Sequence, residues 1–325
     1  MHANYEWKVV TYILHFIDYI IFKHTPNGEN QYTKIQIKVG SLKKRCIFAK
    51  FFKLKRPKKE RTHLKIMEAP IITLTSDWGD KDFFTGMVKG RLYSNIPNVR
   101  VVDISHGIEP FDIARATFVV RQTCLGFPKN TIHIIDINSV ADEYHPFVIV
   151  EYDGQYFICN DNGLPFSVFG NEADNITHIP FDNVRDTRPF VAYDLLCGLA
   201  IQLANGKRPS DLGKPWPRLT QSSAPAYIVN GDRLIVYISY IDNYGNAYLN
   251  ITYPEFEKIR AGRNFVLNIN HSKINSISHS YGTRGTGLIL IVSSTGHLHV
   301  AIRNDSAEQL LGLKVQGNLE FVFKD

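Results

Sequence analysis

Long apolar runs, phosphate-wrapping glycine loops and paired cysteines are all missing from this 325-residue chain, and each absence removes a class of function. The most apolar stretch, Val9 to Phe22, is broken by His15 and Asp18 and is too short to span a membrane as a helix. It has no basic leader and no small-residue cleavage site, so it does not read as a secretory signal. Neither G-x-G-x-x-G nor G-x-x-x-x-G-K-[ST] occurs, which leaves no loop built to cradle a phosphate. The four cysteines (Cys46, Cys124, Cys159, Cys197) show no C-x-x-C spacing and sit in apolar surroundings. They read as buried free thiols in a reducing, cytoplasmic compartment, not as disulfides or a metal site.

With 44% apolar and 21% charged residues, the chain is globular and long enough for two domains. Its net charge of +6 is unevenly placed. Residues 1–66 carry 15 Lys+Arg against 4 Asp+Glu, whereas the remainder carries 22 against 27. The body is mildly acidic, so no nucleic-acid partner is expected for it. The run Lys53 to Arg61 repels itself and stays solvated. Residues 1–66 are therefore expected to be a basic extension, unstructured or preceding the natural start at Met67.

From Met67 the pattern becomes regular. Ile71 to Thr75 reads as a strand buried on both faces, ending abruptly at Ser76-Asp77-Trp78-Gly79. Phe83 to Asn95 has helical spacing with Met87, Val88 and Leu92 on one face. Val99 to Ile104 reads as a second buried strand. Asp112 is placed to cap a helix over Ile113 to Leu125, and Thr131 to Ile137 gives a third strand carrying Asp136. Asp153-Gly154 marks a hairpin, and Tyr193 to Ala204 is a further helix. This βαβ series predicts an α/β domain with a Rossmann-like, mostly parallel sheet over residues 67–208. Pro209, Pro215, Pro217 and Ser222-Ser223 suggest a linker at 209–223. Only short strands follow over 224–325, among them a hairpin at Asn230-Gly231, which predicts a small all-β barrel.

Ligands in open α/β sheets bind beyond the carboxyl ends of the strands. The first such end here presents a carboxylate, an indole and a glycine together, Asp77, Trp78 and Gly79. A lone carboxylate there suits a ribose diol, hence an unphosphorylated nucleoside; the alternative is that Asp77 only caps the next helix.

Several segments combine with it in order: Asp103-Ile104-Ser105-His106, Phe111-Asp112-Ile113, Asp161-Asn162-Gly163, Asp242-Asn243-Tyr244-Gly245-Asn246, Ser293-Ser294-Thr295-Gly296 and Asn304 to Ala307. Together they resemble the S-adenosyl-L-methionine (SAM) hydroxide adenosyltransferase family, whose halogenating relatives are the fluorinase and chlorinase. The resemblance covers about residues 70–325. It implies a homotrimer with SAM bound between neighbouring subunits, and no cofactor or metal. It places Asp77 on the ribose hydroxyls and Phe111 against the ligand. Asp242 falls on the methionine amino group, Asn246 near the adenine and Ser294 near the methionine carboxylate, with Trp78 and Tyr244 in the same ligand-facing turns. Asp136 matches the catalytic aspartate of the hydrolases.

The family's arginine-bearing loop is replaced by Asp136 to Pro146, which has no arginine. Val191 stands where the family has its histidine, and Ala192 where the fluorinase has its halide-contacting serine. The resemblance implies hydrolysis of SAM to adenosine and methionine. The alternatives are a SAM or adenosine binder with little catalysis, or a halogenase.

Overall fold

A computed structural model of the protein describes residues 7–14, 16–24, 30–37, 69–139, 145–180, 189–222, 226–282 and 287–324, the first three stretches by backbone alone. Cys46, the basic run 53–61, Met67, Arg188, Ser223 and residues 140–144 of the substituted loop lie outside the described residues. The chain forms two compact units, Met1–Ile66 and Met67–Asp325.

In the first unit β1 (Trp7–Leu14), β2 (Phe16–His24) and β3 (Asn30–Ile37) pair as an antiparallel meander. The sequence reading expected no regular structure here. These segments are rich in β-branched and aromatic residues, and each pairs with its neighbour in sequence, so the sheet needs only local contacts.

The second unit opens with a seven-stranded sheet. Its strands are β4 (Ile71–Ser76), β5 (Arg100–Ser105), β6 (Ile132–Asp136), β7 (Phe147–Tyr152), β8 (Gln155–Asn160), β9 (Asn175–Ile179) and β10 (Lys214–Pro215), in the order β10-β9-β7-β8-β6-β4-β5. The strands β5, β4, β6 and β8 run parallel, and β7, β9 and β10 extend the sheet antiparallel. The unbroken apolar run of β6 has a simple cause. Ile132 and Ile134 face one core with α1 (Phe84–Asn95), while Ile135 faces the other with Ala116 and Val120 of α2 (Ile113–Thr123).

Two expectations need correction. The strand β5 is the edge of the sheet, not a buried inner strand: Val102 is 37% exposed, and Arg100 and Asp103 are also exposed, because among the described residues β4 is the one strand that pairs with it. On α1 the buried residues are Val88 and Leu92, while Met87 turns partly to solvent. The Asp112 cap is formed as expected, its Oδ1 accepting from the Arg115 N–H at 2.9 Å.

The stretch from Pro209 is fastened to this sheet. β10 pairs with β9, Trp216 stacks on His178 at 4.9 Å, and buried Asp161 accepts from the Trp216 indole and from the Thr220 backbone and hydroxyl. Beyond it stand β11 (Ile228–Asn230), β12 (Arg233–Ile241), β13 (Ala247–Thr252), β14 (Asn264–Ile269), β15 (Ser272–Ile274), β16 (Ile277–Ser278), β17 (Leu288–Val292), β18 (His297–Ile302) and β19 (Asn318–Lys324). They make a nine-stranded, almost wholly antiparallel sheet that curls as a half-barrel around Leu234, Val236, Leu249, Phe256 and Phe321. The hairpin at Asn230-Gly231 forms one residue later than its signal, since Asn230 pairs with Arg233 and leaves Gly231 and Asp232 as the turn. The β half is docked on α2, where the Phe118 ring stacks on Tyr240 at 4.8 Å and 9°.

Candidate active site

Strands β4 and β6 are parallel neighbours in register, Ser76 beside Asp136, so the loops that leave them share one end of the sheet. This brings four of the eight predicted site residues together. Asp77 Oδ2 accepts from the backbone N–H of Phe111 at 2.9 Å and of Asn138 at 3.3 Å, tying two loops to its own. Phe111 holds φ at +69° and is 71% exposed, a strained and solvent-facing state for an aromatic residue. Such strain is typical of functional loops, and here the bond to Asp77 helps to hold it. The Trp78 indole N–H donates to Asp136 Oδ2 at 2.7 Å, so Trp78 supports the second carboxylate from the side.

Asp136 is buried, and that burial lifts its carboxyl above the usual range. The negative charge of Asp77 adds to the rise, while Ser139 and then the Trp78 donation oppose it. A carboxylate raised in this way is a better proton acceptor near neutral pH than an exposed one. Val191 and Ala192 are buried where helix α3 (Cys197–Ala204) is preceded by a π turn over Ala192–Leu196. Neither offers a hydrogen-bond donor through its side chain.

The β half holds a second group. Asp242 Oδ1 accepts from the N–H of Tyr244 and of Asn246, each at 2.9 Å, and Oδ2 accepts from the Asn246 side-chain amide at 2.9 Å. The turn is tight enough that a Cβ on Gly245, at φ +76°, would collide with Ser306. Asn246 is buried while Tyr244 is 79% exposed, so the two expected ligand contacts differ in kind. Around this carboxylate lie Tyr248, raised to about 12 by burial and then by the Asp242 charge, and His299, lowered to about 4 by burial. Ser294 stands exposed on the β17–β18 turn, whose neighbouring hydroxyl Thr295 donates to Gln122 of α2.

A cavity of about 750 Å³ opens between α2 and the β half, with Arg121, Asn162, Tyr227, Tyr237 and His297 in its wall. None of the eight predicted residues lines it. Sequence reasoning also gave no role to His106, which is buried beneath Trp78 with its ring 5.4 Å away at 14°. The signal was the pair Asp103 and His106, three residues apart across a strand end. Among the described residues no cluster of three or more His, Cys, Asp or Glu is placed to hold a metal ion, and no helix is long and apolar enough to cross a membrane.

Comparison with known proteins matches residues 72–213 to the SAM hydroxide adenosyltransferase N-terminal domain and residues 236–320 to the C-terminal domain. The (R)-S-adenosyl-L-methionine hydrolase of Methanocaldococcus jannaschii is 25% identical over 268 residues, 78% of this chain and 96% of that protein. Its namesake from Salinispora tropica is 24% identical over 257 residues, 75% of this chain and 94% of that one. Among solved structures, an uncharacterized conserved protein from Thermotoga maritima superposes with a TM-score of 0.69 at 22% identity, covering 77% of this chain and 99% of its own. A conserved hypothetical protein from Thermus thermophilus gives 0.60 at 21% identity, with 79% and 100% covered. At these identities the two structures speak for the fold.

Proposed function

The chain belongs to the SAM hydroxide adenosyltransferase family, and from that premise we propose that it hydrolyses SAM to adenosine and L-methionine. The observation that carries the chemistry is the buried, raised Asp136 carboxyl held by Trp78 one strand away from Asp77. Water attacks the ribose C5′ opposite the sulfonium. The new bond is C5′–O, the C5′–S pair leaves with sulfur as the neutral thioether of methionine, and Asp136 takes the proton of the water. The substrate's own positive charge supplies the activation, so the protein has only to position water and exclude bulk solvent.

Both bonds to Asp77 fall on Oδ2, and Oδ1 is the atom we assign to the ribose diol. The exposed Phe111 ring and Trp78 line the nucleoside, Asp242 takes the ammonium group, Asn246 and Tyr244 border the adenine end, and Ser294 meets the methionine carboxylate. The Asp77 and Asp242 groups stand on different halves, and we assign the complete site to two chains of a cytoplasmic homotrimer, each giving one half.

The loss of the loop arginine and Val191 in place of the family histidine favour slow turnover or, at the limit, binding without catalysis, and Ala192 in place of the halide-contacting serine speaks against a halogenase. Incubating the full chain with SAM and separating the products tests the reading. Equimolar adenosine and methionine, lost in Asp136→Asn, support hydrolysis; tight SAM binding with no adenosine above the Asp77→Ala background supports the binder.

A further inference from the structure

His106 is 5% exposed, with a polar neighbour near each ring nitrogen and at its carbonyl. Its Nδ1 lies 2.6 Å from Ser76 Oγ, its Nε2 lies 3.3 Å from Asp103 Oδ1, and its carbonyl accepts from the Gly79 N–H at 2.8 Å. Asp103 in turn accepts from Lys89 at 2.5 Å. Burial alone would raise the Asp103 carboxyl, but the bonds from Lys89 and His106 outweigh it and hold it below the usual range. The order serine, histidine, aspartate invites comparison with a nucleophilic triad. That role fails on access, because Ser76 is fully buried and no substrate carbon can reach its hydroxyl.

The pinned imidazole serves a different purpose. Its flat face carries the Trp78 indole at 5.4 Å and 14°, and Phe190 meets the same indole edge-on at 5.2 Å and 76°. Packed against these two rings, the indole places its N–H on Asp136. We propose that His106 is a positioning residue for the hydrolytic step, acting through the stacked Trp78 to aim the Asp136 carboxylate. The proposal rests on the reading of Asp136 as the base that accepts the proton of water.

The groups facing Asp136 are the Ser139 hydroxyl, the Trp78 N–H, the Asp77 carboxylate and the Cys197 thiol, itself pushed up to about 12 by burial, with the Arg91 guanidinium near that thiol. Of these, Trp78 is the hydrogen-bond donor whose placement depends on His106. A donor to the ionised form lowers a carboxyl's pKa, so its loss raises the pH at which the base becomes available by about one unit.

The test uses the full chain and the pH profile of kcat. His106→Ala is expected to move the acid limb up by about one pH unit, with a smaller change in KM. Trp78→Phe, which keeps a ring but removes the N–H, is expected to move it by the same amount, and the double variant by no more than either single change. Asp103→Asn loosens the same imidazole from its exposed end without opening a cavity, so a poorly folding alanine variant does not end the test; a smaller shift of the same sign is expected. An unmoved limb with lowered stability, or fully additive shifts, would overturn the inference. The Asp136 carboxyl titration is followed in parallel by carbon NMR on ligand-free protein, assigned with Asp136→Asn. A wild type that turns nothing over but whose Asp136 titration moves in His106→Ala removes the hydrolase reading and keeps the coupling; normal turnover with an unmoved titration removes the coupling alone.

Discussion

Replacing Asp242 by asparagine separates the ligand role of this carboxylate from its structural one. In the structure the carboxylate is the hub of its own turn, with three bonds at 2.9 Å from Tyr244 N, Asn246 N and Asn246 Nδ2. Asparagine keeps the acceptor at Oδ1 and hence both backbone bonds. The third is recovered if the Asn246 amide turns to present its oxygen, so the fold loses under about 1 kcal/mol. Alanine loses all three bonds and costs roughly 1–3 kcal/mol. Toward the ligand the two substitutions act alike. Each removes a charge-assisted bond to an ammonium group, worth roughly 1.5–3 kcal/mol, or a ten- to hundredfold loss of affinity. Adenosine has no ammonium group. Calorimetric titration of Asp242→Asn is therefore expected to show weakened SAM binding with adenosine binding within about twofold of wild type. Equal weakening of both ligands, or of neither, would refute the assignment of Asp242 to the amino acid end.

Mixing Asp77→Ala with Asp242→Ala chains is expected to restore some activity, because a site shared between neighbours leaves some interfaces with both halves intact; complete absence of recovery counts against a site built by two chains. The buried His133, bonded to Thr73 and Gln155 and lowered to about 4 by burial, binds a proton in the unfolded chain before it does so in the folded one. Its contribution is complete above pH 6.5 and is lost as pH falls toward 4, up to about 3 kcal/mol, so urea midpoints should drop across that window and drop less in His133→Gln. Gly245→Ala, forced against Ser306 at positive φ, is expected to cost more than about 1 kcal/mol and to weaken SAM through the Asp242 turn; an unchanged melting temperature would contradict the packing described there. A chain shortened to begin at Met67 is expected to keep assembly and SAM binding, and failure to fold would show that the sheet of residues 7–37 is needed.

The parts of the fold visible in the sequence were those set by nearest neighbours. The buried run before Asp77, the Asp112 cap and the Asp153-Gly154 hairpin each depend on residues within a few positions, and their boundaries agree with the structure to within a residue or two. The position of β5 was not visible, because Val101 and Val102 read the same in an inner strand and at an edge, and sheet order is a long-range property. The site divides in the same way. Asp77 and Asp136 were legible as strand ends, but their connection through Trp78 spans 58 residues and could be read only from the packed structure. The stack of His106 on Trp78 is a contact of the same kind, between residues that no local pattern relates. The engagement of Asp242 with its own turn is legible from ordinary turn chemistry, since Asp, Asn and Gly favour turns for backbone reasons.

The central claim is that water attacks the ribose carbon of SAM under the control of Asp136, and isotope labelling tests it most directly. The full chain is incubated with SAM in water enriched in oxygen-18, and the products are weighed by mass spectrometry. The account predicts one heavy oxygen in the 5′-hydroxyl of adenosine and none in methionine, with both products suppressed in Asp136→Asn. Adenosine formed without the label, label in methionine, or undiminished labelling in Asp136→Asn would contradict it.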